Sequence, residues 1–115
     1  MEKWGPMPEL LADVRLVEGM AGVQRAEVQD LNWTSSHSGV TKKLFIVSAF
    51  WTGERSDDEA FADKVAKLIL QNDPQVQDHD VLRVVVIRGY DLGIARAQQR
   101  DPFEQTPAEW KARLV

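Results

Sequence analysis

The chain has no cysteine among its 115 residues, which excludes a disulfide framework and any thiolate-bound metal. Histidine is scarce too. His37 lies in a Ser-rich segment and His79 between Asp78 and Asp80. Neither has a ligand partner at helical or strand spacing beyond the adjacent acids, so both read as loop histidines and no metal is expected. No G-x-S-x-G, G-x-x-x-x-G-K-[ST] or G-x-G-x-x-G motif occurs. That absence removes the nucleophile elbow, the phosphate loop and the dinucleotide fingerprint, and the residues call for no cofactor.

Long apolar runs are missing as well. The longest, Val84 to Ile87 and Leu44 to Val47, fall far short of the roughly 20 residues a membrane-spanning helix needs. The opening Met1-Glu2-Lys3-Trp4-Gly5-Pro6 has no basic region followed by an apolar stretch. No secretory signal is therefore expected, and the cytoplasm is the expected compartment. Nor is there an excess of positive charge. A net charge of −4 and a pI near 5.1 argue against a nucleic-acid partner, which needs a basic face. Lys42-Lys43 is the only adjacent basic pair and reads as a solvated strand edge.

What remains is the composition of one ordinary globular domain, 43% hydrophobic and 28% charged, of a length that fits a single core. Leu10, Leu11, Val14, Val17 and Met20 recur at spacings of three and four, which predicts a helix over Pro8 to Met20, ended by Gly19 and Gly22. A strand is expected from Val23 to Thr34. Its apolar parity changes between Val28 and Leu31, so either a bulge sits near Asp30 or each face buries one half. The Ser35 to Gly39 segment is turn-like. A second strand, Val40 to Thr52, completes a hairpin and becomes apolar on both faces from Leu44 onward.

Ser56-Asp57-Asp58-Glu59 has the form of a capping box. Phe61, Val65, Leu68 and Ile69 then predict a helix that Asn72-Asp73-Pro74 stops. Val81 to Ile87 reads as a strand buried on both faces along most of its length, with Gly89 to Gly93 as a turn. Ile94 to Gln99 reads as a weaker return strand that Asp101-Pro102 breaks. Thr106-Pro107-Ala108-Glu109 is a second capping box, opening a short helix that presents Trp110 and Leu114. The expected fold is therefore α+β in the order α-β-β-α-β(-β)-α. It has a small antiparallel or mixed sheet of three to four strands, with helices mainly on one face. Placing the third strand beside the first gives the order 2-1-3, half of a ferredoxin-like unit.

Three features are not absorbed by these elements. Arg88, Tyr90 and Asp91 end the buried strand, where a ligand bearing a carboxylate or phosphate would find a cation and two hydrogen-bonding groups. The structural alternative is a strand exit, with Tyr90 packing on the Arg88 stem and Asp91 capping the turn. Arg83 interrupts the apolar strand and needs an acid, an edge or a partner. Trp33 and Trp51 have the same parity on their strands, so a shared face is expected, suited to a pocket wall or a subunit interface. The paired acids Asp57 and Asp58 are fully accounted for by the helix start.

With no catalytic constellation, the sequence points to a non-enzymatic interaction module. It would form a homodimer through the open sheet face or an edge strand, with Trp33, Trp51 and Arg83 at the interface. The alternative is a small-molecule binder or enzyme with an anionic or polar ligand near Arg88, Tyr90 and Asp91, walled by Trp33 and Trp51.

Overall fold

The computed structural model describes residues 8–34, 36–91 and 96–113, and the side chains of 10–32, 34, 36–88 and 100–113. The element order is α1 (Pro8–Glu18), β1 (Val23–Thr34), β2 (Thr41–Trp51), α2 (Asp58–Asn72), β3 (Val81–Asp91), β4 (Arg96–Gln105) and α3 (Pro107–Arg113). Short 3₁₀ helices precede and follow α2 at Arg55–Asp57 and Pro74–Asp78. The fold is α+β, in the order expected. None of the described helices is long and apolar enough to cross a membrane.

The strand order differs from expectation. The sheet runs β1-β2-β3-β4, with β3 parallel to β2 rather than antiparallel to β1, so it is mixed. The physical reason lies in β2, which is apolar on both faces and gains most from neighbours on both edges. β1, with Gln24, Arg25, Glu27, Gln29, Asp30 and Asn32, is suited to the edge. The return strand also exceeds expectation, continuing through Pro102 opposite Val85. Pro102 is tolerated because β4 is the other edge, where a missing N–H costs no ladder bond. Pairing of β1 with β2 is continuous through Asp30, and the irregularity lies instead between Val23 and Arg25.

Period-two alternation sorts the sheet. Phe45, Val47 and Ala49 of β2 and Leu82, Val84 and Val86 of β3 are buried and pair directly across the parallel ladder. They meet Phe61, Ala62, Val65, Ala66 and Ile69 of α2, with Val17 of α1, in one core. α3 closes it through Trp110, which is 1% exposed and whose indole N–H donates to the Leu82 carbonyl at 2.8 Å. Its capping box forms as expected: Glu109 N–H donates to Thr106 Oγ1 at 3.1 Å, and Thr106 N–H donates to Glu109 Oε1 at 3.0 Å.

The box expected at Ser56 does not form. Asp57 is the residue before α2 and makes no side-chain cap. Glu59 of this first turn serves a tertiary contact instead, with Asp63 one turn on: Arg113 of α3 donates to Glu59 at 2.7 Å and to Asp63 at 3.0 Å. At the other end, His79 is held in place rather than loose. Its Nε2 lies 2.9 Å from Asp30 Oδ1 and its Nδ1 3.0 Å from the Gln75 carbonyl.

Candidate functional site

At the carboxyl ends of the parallel strands β2 and β3, where α2 begins, the chain gathers two carboxylates and two guanidiniums. This is the end of a parallel pair at which ligands commonly bind. The alternation that sends Leu82, Val84 and Val86 into the core also brings Arg88 to the helix side, one step beyond the apolar cluster. Its Nε donates to the Gly53 carbonyl at 2.8 Å. Its two Nη atoms grip Asp58, the first residue of α2, with Nη1 to Oδ2 at 2.9 Å and Nη2 to Oδ1. Asp101 of β4, opposite Val86 in the ladder, sits on the same side. Its Oδ2 lies 3.7 Å from Arg88 Nη1 and 3.9 Å from Arg55 Nε.

The electrostatics follow from burial and pairing. Asp58 is buried, which opposes its ionisation. The hydrogen bonds from Arg88 and Asp101, with the charges of Arg88 and Arg55, win and hold its carboxyl below the usual value. The same bond raises the affinity of the Arg88 guanidinium for its proton. Asp101 moves the other way. Its hydrogen bond to Asp58, then burial and the Asp58 charge, push its carboxyl up. Asp101 Oδ2 is itself buried and accepts no hydrogen bond. A cleft of about 400 Å³ lined in part by Arg55, Ser56, Glu59 and Pro102 opens beside the two acids.

Trp51 forms the floor. Its ring stacks on Phe61 with centroids 4.1 Å apart and planes 4° from parallel, and its centre lies 5.6 Å from the Arg88 guanidinium. The indole N–H donates to the Ala21 carbonyl at 3.2 Å. This placement needs two glycines. Gly22 has a φ of +82° and comes within 2.9 Å of the indole nitrogen at the position a Cβ would take. A Cβ on Gly53 would overlap the Trp51 ring outright.

Of the residues singled out in the sequence, Arg88 and Trp51 meet here. Tyr90 and Asp91 do not form a turn: β3 continues through them, paired with Ala97 and Arg96, and their side chains lie outside the described residues, as do Leu92 and Gly93. Trp33 pairs with Lys42, an even-numbered position of β2, whereas Trp51 is odd-numbered. The two positions therefore fall on opposite faces and opposite ends of the hairpin, not on one face, because odd positions of β1 pair with even ones of β2 over this stretch. Arg83 finds its acid on the neighbouring strand, with Nη2 2.7 Å from Glu104 Oε1. Sequence reasoning missed Asp101, taken as a strand breaker, and the role of Asp58, taken as part of a cap. Nothing local links Asp58 to a residue thirty positions on.

The opposite face of the sheet is different in kind. Leu31, 43% exposed, pairs with Leu44, and half-buried Ile46, Phe50 and Val81 extend the apolar surface, while Val85 and Ile87 of β3 on the same face are buried. Arg25 covers the Phe50 ring at 4.5 Å and pairs with Glu27 at 2.6 Å. Among the described residues no helix packs on this face.

Fold and sites together define a small α+β domain with a closed ionic cluster at one sheet end and a partly apolar open face. No three or more metal-ligating side chains converge among the described residues. Comparison with protein-family models, with curated proteins and with solved structures finds no match for the chain.

Proposed function

We propose that the protein is a non-enzymatic interaction module that forms a homodimer through the open face of its sheet. The observation that carries this reading is the apolar strip of Leu31, Leu44, Ile46, Phe50 and Val81, on which no described helix packs, bordered by the Arg25–Glu27 and Arg83–Glu104 pairs, although Val85 and Ile87 farther along the same face are buried. An apolar centre with a rim of both charge signs is the anatomy of an interface. Mixed signs also suit a two-fold contact, in which one patch must complement itself.

Size-exclusion chromatography with light scattering tests the reading. A dimer is expected at high micromolar concentration, and Ile46→Lys is expected to give a folded monomer. A wild-type monomer at that concentration would remove the proposal.

The second reading is a small-molecule site beside Arg88. It is favoured by one observation, the unbonded Asp101 Oδ2 next to its cleft. Because Asp58 and Gly53 already engage the Arg88 donors, that site suits a ligand offering hydrogen-bond donors better than an anion. A panel of amines and polyols followed by Trp51 fluorescence tests it. No response across the panel would end it.

A further inference from the structure

Where β2 and β3 begin, the open face sinks into a cleft of about 400 Å³ that reaches the end of β4. Its floor is apolar. Leu44 and Val81 pair directly across the parallel ladder, and both are half-buried. The charged groups around them come from three strands. Lys42 stands two residues before Leu44, Arg83 two residues after Val81, and Glu104 opposite Arg83 on β4. Lys43 also borders the cleft, but its odd position turns its side chain to the helix side. Its backbone instead pins the two strand starts together. The Lys43 N–H donates to Asp80 Oδ2 at 2.8 Å, and the Lys43 carbonyl accepts from the Asp80 N–H at 2.9 Å. Glu104 neutralises Arg83, its Oε1 accepting from Nε at 3.1 Å and from Nη2 at 2.7 Å. Lys42 is exposed, and its ammonium meets no acid among the described residues. It is therefore the uncompensated charge of the cleft. The whole face leans the same way. Its described positions carry Arg25, Lys42, Arg83 and Arg100 against Glu27 and Glu104, although the chain as a whole has a net charge of −4.

We propose that this cleft binds a small amphiphilic carboxylate, with its apolar body on Leu44 and Val81 and its anionic head at Lys42. Charge complementarity selects the anion, because the one acid of the cleft is already taken by Arg83 and Lys42 is left over. The floor selects the body. A bare anion gains little from an exposed ammonium in water, so most of the affinity must come from apolar surface, with the charge fixing orientation. Lys42 lies two residues along the strand from Leu44, about 7 Å, which sets the length of chain between body and head. The Arg83 stem closes the other end of the floor with its methylenes. This site is separate from the Arg88 cluster. It shares Leu44 and Val81 with the strip assigned to the homodimer, so ligand and second copy compete for the same surface.

The test is a titration of the dilute, ¹⁵N-labelled full chain with 4-phenylbutyrate, followed by amide chemical shifts. 4-Phenylbutanamide controls for the head and acetate for the body. Saturable shifts at Lys42, Leu44 and Val81 are expected with the acid in the low millimolar range, and none with acetate. The amide should bind about threefold more weakly, the worth of one exposed ion pair. Lys42→Gln, at an exposed position, should keep the wild-type spectrum and bring the acid down to the affinity of the amide. Val81→Thr, of similar volume, should weaken acid and amide alike. No saturable shift with 4-phenylbutyrate, or saturable shifts confined to other parts of the chain, overturns the proposal. Equal affinity for acid and amide overturns it too, as does undiminished affinity in Lys42→Gln, since the anion would then not be held at Lys42. Dilution keeps the protein below the concentration at which it would dimerise, so a failed cleft and a failed dimer are told apart.

Discussion

Arg88 holds Asp58 with both of its terminal nitrogens, joining the end of β3 to the first residue of α2. Their side chains are 17% and 5% exposed, so neither charge has water to fall back on. Cutting one partner from a buried pair strands the other, at about 3–5 kcal/mol. Arg88→Met should therefore lower stability by that order in urea unfolding, and Arg88→Met with Asp58→Asn should regain more than half of it. Strictly additive losses would show that the pair is not coupled.

The buried acids give the protein opposite pH limbs. Asp58 is depressed from its ordinary 3.8. Its contribution is therefore present above that value and is lost as pH falls through the lower, folded one. Asp13 is raised from 3.8 to about 8. Its folded form binds the proton more tightly than the unfolded chain, so its contribution is full below 3.8 and drains away as pH rises toward 8. Asp13→Asn should gain on the wild type across that window, by an amount on the order of 1–3 kcal/mol. Thermal melts at a series of pH values check this, and a constant difference would contradict it.

Gly53→Ala should be costly although the residue lies in a loop. The new methyl group falls on the Trp51 ring and must drive it off Phe61. Overpacking of this kind costs about 1–3 kcal/mol. The near-ultraviolet circular dichroism band of the stacked indole should weaken at the same time, and an unchanged band would refute the contact.

Two serine-like helix starts should behave differently. Thr106→Ala removes a formed cap and should cost about 1 kcal/mol. Ser56→Ala removes a side chain that caps nothing at α2 and should stay within about 0.5 kcal/mol. Equal losses in denaturant titrations would mean that Ser56 caps the helix in solution.

Much of the fold was legible locally. β1 occupies the expected Val23–Thr34, and α2 ends at Asn72 ahead of Asp73-Pro74. Both are written in spacing and in stop residues, which act over a few positions. The central place of β2 was also legible in principle, since Leu44 to Trp51 is apolar on both faces while β1 is largely polar on one. The candidate site was legible only in fragments. Arg88 and Trp51 stood out, but Asp58 and Asp101 had sufficient local explanations as a helix start and a strand breaker.

By itself the sequence determined where helices and strands begin and end, because capping, periodicity and turn chemistry are short-range. Only the tertiary structure decided which strand β3 lies beside, which acid meets Arg88, and that Asp13 is buried. Those outcomes depend on which surfaces bury one another, and burial sets the cost of a charge. A carboxylate that is ordinary in the sequence becomes an ion-pair partner at Asp58 and a proton holder at Asp13 only once water has been excluded around it.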